Sequence, residues 1–214
     1  MKIYLGILLA ICLIVVAGCG KLLSPFTGDG RMSSLEDDIV REMNLARTNP
    51  RMYASFLEER KRYYDGKLYY RSYDTVVRTR EGVSAVNEAV SFLYSVNPLP
   101  PLSVSRGMSL AAKDHASDIG PRGAMRHEGR DRSTPGIRLS RYGTWQGEVA
   151  ENIYYSGENA RDIVIGLIVD DGVYSRGHRK NIFNPGFRVV GVGCDRHATY
   201  RIVCVTTFAM GYVE

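Results

Sequence analysis

Several motifs that would assign a chemistry at once are missing from this sequence of 214 residues. It has no CxxC pair, which argues against a zinc site built from cysteines, and no HExxH helix of the common zinc metalloproteases. A GxSxG nucleophile elbow and a GxxxxGKS or GxxxxGKT phosphate loop are also absent. The formal net charge of +5 is only a mild excess of cations, so nucleic acid is not an expected partner.

Long apolar runs are rare as well, and the one at the N-terminus has the composition of an export signal. Lys2 precedes an apolar stretch that ends at Val16 and is followed by the small residues Ala17 and Gly18. The stretch is shorter than the about 20 residues that span a bilayer. Residues 1–18 are therefore predicted to be a signal peptide, and its removal lowers the formal charge from +5 to +4 (5 − 1, for Lys2).

Cys19 follows these small residues, and the sequence Val16-Ala17-Gly18-Cys19 resembles the lipobox of bacterial lipoproteins. This resemblance implies that Cys19 is diacylated and anchors the mature protein in a membrane. Residues 19–33, which are rich in Gly, Ser, Pro and Lys, are predicted to form a flexible tether after the lipid. The alternatives are an uncleaved anchor and an ordinary signal peptide, and both still place the domain outside the cytoplasm, at the cell envelope or surface.

Only four cysteines are present, and two remain for the folded domain once Cys12 and Cys19 are assigned to the signal peptide and the lipid. Cys194 and Cys204 lie in two β-like runs that flank the polar stretch 195–199, so a hairpin would bring them opposite each other. An even number of cysteines in an exported domain favours a disulfide. Two buried free thiols are the alternative.

The periodicity of the remaining chain predicts helices first and then an antiparallel sheet with one helix inserted, which is an α+β arrangement. The predicted helices cover 34 to about 49, 83–95, a segment that begins after Ser103 or Ser105 and ends near 120, and 156–170. The predicted strands cover 149–155 and two runs near the C-terminal end. An insertion at about 58–82 is rich in tyrosine and alternates around Asp65-Gly66, which indicates a short hairpin that is either a contact surface or a small satellite core.

Three short motifs place titratable residues where the local pattern changes: His127 in MRHEGRD, Glu151 in AENI and His178 in SRGHRKNI, the last before the strand GFRVVGVG. Together they resemble the CAP superfamily, which comprises cysteine-rich secretory, antigen 5 and pathogenesis-related 1 proteins, in its bacterial branch. The resemblance implies an α-β-α sandwich with a central antiparallel sheet for residues 34–214. It also implies a cleft lined by two histidines and two acidic residues.

By this resemblance, the four residues that line the cleft are His127, Glu151, His178 and Asp170. Asp171 and Ser175 are alternatives for the fourth position. Imidazoles and carboxylates that converge can bind a divalent metal such as zinc, because both groups are common zinc ligands. They can equally exchange protons, since a nearby carboxylate tunes the pKa of a histidine.

Other polar residues near these motifs have structural explanations. His115 lies in the middle of a predicted helix and is expected to be packed, whereas His197 lies in a polar hairpin and is expected to be solvated. Arg179 and Asn181 are expected to brace the loop that carries His178. Hydrolysis by Ser175 with His178 has little support, because their spacing does not orient the hydroxyl toward the imidazole.

These observations predict an exported, lipid-anchored binding module that uses the cleft, with or without a divalent metal, to engage a lipid, a glycan or a protein. The alternative is a metal-dependent extracellular hydrolase that acts on peptide or another polymer through His127, His178 and Glu151. A structural envelope protein with an inherited cleft is a third hypothesis. Binding is the preferred prediction, since the sequence indicates neither a general base nor an oxyanion hole.

Overall fold

The computed structural model describes residues 34–72, 75–157 and 159–214. The predicted signal peptide 1–18, the lipidation site Cys19 and the tether 19–33 lie outside the described residues. Within the described ranges, no helix combines the length and the apolar character needed to cross a bilayer. The helices are α1 (Ser34–Thr48), α2 (Pro50–Arg60), α3 (Val83–Ser95), α4 (Arg106–Ile119), α5 (Pro135–Leu139), α6 (Ala160–Val169) and α7 (Gly177–Ile182). The strands are β1 (Tyr64–Asp65), β2 (Leu68–Tyr70), β3 (Val76–Arg78), β4 (Ser103–Val104), β5 (Thr144–Tyr155), β6 (Val189–His197) and β7 (Arg201–Val213).

The central sheet has the strand order β4-β6-β7-β5. β7 lies between β6 and β5 and pairs antiparallel with both. The two-residue strand β4 adds a short parallel edge to β6, which the sequence analysis did not predict. The α+β class and the sandwich with a mainly antiparallel centre are confirmed.

Helices cover both faces of this sheet because β7 alternates its apolar residues. Val203 and Val205 pack with residues of α4, whereas Cys204 and Phe208 belong to a larger core that includes α1, α3 and α6. The period of two in the strand therefore produces the two interfaces of the α-β-α sandwich.

Two glycines of β6 let α4 lie unusually close to the sheet. A Cβ atom at Gly191 would fall within 3.0 Å of the backbone of Met108, and one at Gly193 within 3.0 Å of the backbone of Lys113. The Gly191-Val192-Gly193 sequence thus serves close packing of a helix against a strand.

The helix predictions agree well with the structure, and the boundary errors have local causes. α3 covers the predicted residues, and α4 begins after Ser105, whose hydroxyl accepts from the Met108 amide at 3.1 Å. α6 begins at Ala160 rather than at 156, because the Asn159 side chain caps it. β5 begins at Thr144 rather than at 149. Its register with β7 shifts between 146 and 149, so the alternating pattern does not continue into the first part of the strand. The short elements α5, α7 and β4 were not predicted.

The predicted disulfide is confirmed. Cys194 lies opposite Cys204 in the β6–β7 hairpin, and their sulfur atoms are bonded across a Cα–Cα distance of 4.1 Å. Both residues are also buried, so the bond lies within the core.

The insertion forms a small three-stranded antiparallel sheet in the order β1-β2-β3. Tyr69 is buried and stacks on Tyr64 with 4.9 Å between the ring centroids, whereas Tyr63 and Tyr70 are exposed. The insertion therefore combines the two predicted alternatives, a satellite core and an exposed aromatic surface.

Candidate functional site

One half of the candidate site is a histidine held by a buried carboxylate. Glu151 lies in β5 with a side chain only 1% exposed, whereas the His127 side chain is 56% exposed. The Nδ1 atom of His127 donates to Glu151 Oε1 at 2.9 Å, since an ionised carboxylate can only accept. The buried guanidinium of Arg138 donates to Oε2 at 2.6 Å. The carboxylate is thus shared between an imidazole near the surface and a cation beneath it.

The other two histidines have structural roles. His115 is fully buried in α4 and its Nε2 atom donates to the carbonyl of Arg126 at 2.9 Å. Burial lowers the pKa of His115, so this side chain stays neutral and packed, in agreement with the prediction. The prediction that His197 is solvated was wrong, because a tight turn buries its ring and the Nδ1 atom accepts from the amides of Thr199 and Tyr200.

The second half of the site is a histidine held by Asp170. Asp170 ends α6 in the left-handed conformation, with φ at 56°, which aspartate tolerates better than most residues. Its Oδ1 atom accepts from His178 Nδ1 at 2.6 Å and its Oδ2 atom accepts from the His178 amide at 2.9 Å. One carboxylate therefore fixes both the ring and the first turn of α7.

The alternatives for the fourth position lie elsewhere. The Asp171 carboxylate accepts from the amides of Arg80 and Glu81, at 2.7 and 2.8 Å, and so ties the insertion to this loop. Ser175 is exposed, and no hydrogen bond joins it to His178 within the described part of the chain. The structure therefore brings Asp170, rather than either alternative, against the second histidine.

Both histidines line one cavity of about 520 Å³. Their Nδ1 atoms are occupied by carboxylates, so Nε2 is the nitrogen that each ring can offer to a ligand. The rest of the lining is largely apolar and aromatic and includes Tyr64, Val77, Ile153, Tyr154, Leu167 and Tyr200. The insertion supplies one wall through Tyr64 and Val77, so it is part of the site.

Any metal ion at this cleft would depend on the two histidines. Among the described residues, no group of three or more His, Cys, Asp or Glu side chains is placed to hold one ion. Glu151 and Asp170 instead contact the Nδ1 atoms, the arrangement in which a carboxylate orients a metal-binding imidazole. Each histidine could therefore offer an ion only its Nε2 atom, and the remaining ligands would come from water or a bound molecule.

An ion-pair network fixes the segment that carries His178. Arg176, in the left-handed conformation, donates to Glu81 at 2.8 and 2.7 Å, to Glu88 and to the carbonyl of Asp170 at 2.9 Å. Hydrogen bonds from Arg176 lower the pKa of Glu81 to about 2. Arg179 donates to Glu88 at 2.9 Å and to the Ile168 carbonyl, which is the bracing role predicted for it.

Two further polar residues connect this segment to the sheet and to α1. Asn152 of β5 is buried, donates to the His178 carbonyl at 3.0 Å and accepts from Asn181 at 2.8 Å. Arg47 of α1 is buried and donates to the carbonyl of Ile182, the last residue of α7, and to that of Asn184 just beyond it. Burial lowers the pKa of Arg47 to about 10.

Three arginines of the site were not predicted from the sequence. Arg60, Arg138 and Arg176 are all buried, although no role was predicted for any of them, including Arg176 in the SRGHRKNI motif. The carboxylates that pair with them are between 13 and 102 residues away, so no local pattern marks these ion pairs.

These observations define the class of protein: it is an α-β-α sandwich that has two histidine–carboxylate pairs at one cleft. A model of the cysteine-rich secretory protein family, CAP, matches residues 43–208. The chain belongs to this family, and the match includes the four cleft positions. None of the curated proteins compared with the chain matches it significantly.

Three solved structures similar to the chain come from bacteria. An extracellular protein with an SCP domain from Bacillus anthracis is 26% identical, and the match covers 52% of this chain and 34% of that one, with a TM-score of 0.44. An outer surface protein from Borrelia burgdorferi is 19% identical over 57% of this chain and 86% of that one, with a TM-score of 0.45. A cysteine-rich secretory protein from Staphylococcus aureus is 14% identical, and the match covers 60% of this chain and 38% of that one, with a TM-score of 0.41. The chain thus spans only about a third of the Bacillus anthracis protein.

Proposed function

We propose that this chain is an exported binding module of the CAP family, held at the cell envelope by a lipid on Cys19. The N-terminal apolar run and the Val16-Ala17-Gly18-Cys19 sequence support export and anchoring. The disulfide between Cys194 and Cys204 also supports export, because such bonds persist in oxidising compartments. Replacing Cys19 with Ser is expected to move the protein from the membrane fraction to the soluble one.

The observation that carries the binding function is that both histidines line one cavity and are both held by carboxylates. His127 and His178 line one cavity, and each has its Nδ1 atom held by a buried carboxylate. Such rings lose little rotational freedom on binding, which favours capture of a ligand or a divalent ion through Nε2. Zinc in this position would supply a Lewis acid for an oxygen atom of a lipid, glycan or protein ligand.

Calorimetric titration of the full chain with zinc tests the metal part of this proposal. The His127→Gln/His178→Gln double variant is expected to lose stoichiometric binding, whereas the Lys180→Gln variant, changed at an exposed residue of α7, keeps it. The N-terminal cysteines are present in all three proteins, so a difference between them reports on the cleft. Equal binding by all three proteins refutes a metal site there.

A metal-dependent hydrolase remains the second candidate, because the same two histidines line an open cavity. Against it, both carboxylates that hold the histidines are already engaged by donors, so neither is free to act as a general base. Zinc-dependent cleavage of casein that disappears with His178→Gln would favour the enzyme. Zinc binding without cleavage would favour the binding module.

A further inference from the structure

The cavity beside the two histidines is lined by a cation, Arg60, that has one unpaired nitrogen. Arg60, the last residue of α2, lines this cavity, and its side chain is 9% exposed. The guanidinium stacks over the Tyr69 ring at 4.3 Å and one of its nitrogens lies 3.5 Å from Asp162 Oδ1. Its NH1 nitrogen is buried and has no hydrogen-bond partner among the described residues. Buried donors are nearly always paired, so this one indicates a missing acceptor.

The acidic residues of the same cavity do not supply that acceptor. Asp170 is committed to His178, and Asp171 is committed to the amides of Arg80 and Glu81. Both carboxylates lie in the lining of the cavity together with Arg60. A ligand that carries an anionic group could supply this acceptor, because a hydrogen bond between a cation and an anion is stronger than one to a neutral group.

The rest of the lining defines the body of such a ligand. Tyrosine rings and aliphatic side chains from the insertion, β5 and α6 surround the space, among them Tyr64, Tyr154, Tyr155, Leu167 and Val169. Aromatic walls pack well against a flat aromatic body. A volume of about 520 Å³ falls within the range of small-molecule pockets.

We propose that this cavity binds a small aromatic carboxylate, whose carboxylate accepts from Arg60 and whose ring packs among these tyrosines. The proposal rests on the proposed binding function and deepens it by naming a class of ligand. The insertion at about 58–82 contributes both the cation and part of the aromatic wall, so it confers this specificity on the cleft.

Calorimetry of the full chain in a nonionic detergent tests the proposal with 3-phenylpropionate as the probe. The matched ligands are 3-phenylpropanamide, which lacks the charge, and acetate, which lacks the ring. Both are expected to bind at least about tenfold more weakly than the acid, since a hydrogen bond to a charged group and a buried ring each contribute that much. An amide that binds as tightly as the acid, or no binding of the acid, overturns the proposal without any variant.

Two variants locate the site. Arg60→Gln is expected to weaken 3-phenylpropionate at least about tenfold, while Arg62→Gln, at a neighbouring exposed arginine, leaves the affinity unchanged. Val77→Trp places a large ring in the lining and is expected to abolish binding even if Arg60→Gln fails to fold. Binding that survives in either folded variant overturns the proposal.

The zinc titration distinguishes this failure from failure of the proposed function. If the protein binds zinc, loses that binding in the His127→Gln/His178→Gln variant and does not bind 3-phenylpropionate, only the aromatic carboxylate proposal is refuted. Binding of 3-phenylpropionate without zinc binding refutes the metal and retains the ligand class.

Discussion

Asp170 binds His178 twice, once at the imidazole Nδ1 and once at the backbone amide, so a single carboxylate sets both the ring orientation and the start of α7. The corresponding carboxylate of the other pair, Glu151, binds the ring of His127 and the side chain of Arg138. The two histidines are thus held by different means, one by a helix start and the other by a buried ion pair.

Asp170→Asn is expected to weaken zinc binding about 10- to 100-fold, because the amide cannot accept at both positions and the His178 ring loses its fixed orientation. Asparagine tolerates the left-handed conformation, so the fold should persist. Asp171→Asn is the matched control, since Asp171 contacts the insertion and not His178. The two variants are compared by zinc calorimetry, and equal losses would contradict the assignment of Asp170.

Glu81 should make the stability of the protein depend on acid pH. Its pKa is lowered from 4.5 to about 2 in the folded protein, mainly by hydrogen bonds from Arg176. Because the folded-state pKa is the lower one, this stabilisation is complete above the unfolded value and is lost as the pH falls through the folded value. Glu81→Gln is expected to reduce the unfolding free energy by about 1–3 kcal/mol at neutral pH and to flatten its decline in acid.

Urea unfolding at a series of pH values measures this effect. Glu59→Gln, at an exposed position of α2, serves as the control and should keep the pH dependence of the unaltered protein. If Glu81→Gln and the unaltered protein lose stability in parallel as the pH falls toward about 2, the ion pair with Arg176 does not contribute as described.

Arg138→Leu is expected to lower the unfolding free energy by about 3–5 kcal/mol, because it leaves the Glu151 carboxylate buried without its cation. Arg141→Leu removes a nearby arginine whose ion pairs are about a third exposed or more, and it should cost about 1 kcal/mol or less. Chemical denaturation followed by circular dichroism gives both values. Similar losses in the two variants would show that the buried Arg138–Glu151 pair contributes no more to the unfolding free energy than an exposed pair does.

The Cys194→Ala/Cys204→Ala variant is expected to lose about 2–3 kcal/mol of unfolding free energy. The bond closes a short loop, with a sequence separation of 10, so the loss lies toward the lower part of the usual range. Urea denaturation with and without a reductant checks this. The reductant should bring the unaltered protein to the stability of the variant and leave the variant unchanged.

Local patterns were sufficient for the parts of this molecule whose causes are local. The spacing of Val86, Ala89, Val90 and Leu93 predicts α3, and all four side chains are buried. The hairpin around 195–199 predicts the position of Cys194 opposite Cys204. His127, Glu151 and His178 could be selected because the family motifs mark them, and the structure places both histidines at one cavity.

Contacts between distant segments were beyond such patterns. Nothing near Arg138 indicates that its side chain runs beneath Glu151, and nothing near Arg60 indicates that it reaches Asp162. The choice of Asp170 over Asp171 depends on the left-handed turn after α6, which points one carboxylate at His178 and leaves the other for the insertion. These features arise from tertiary packing.

The attachment of the insertion to the His178 segment has a thermodynamic consequence. Asp171 and Glu81 join the wall of the cavity to the loop that ends in His178, through hydrogen bonds at 2.7 and 2.8 Å to backbone amides and to Arg176. A molecule that displaces this wall would therefore also act on the His178 ring. Linkage requires this effect to be reciprocal. If an ion at the histidines changed the affinity of the cavity for its ligand by some factor, that ligand would change the affinity for the ion by the same factor.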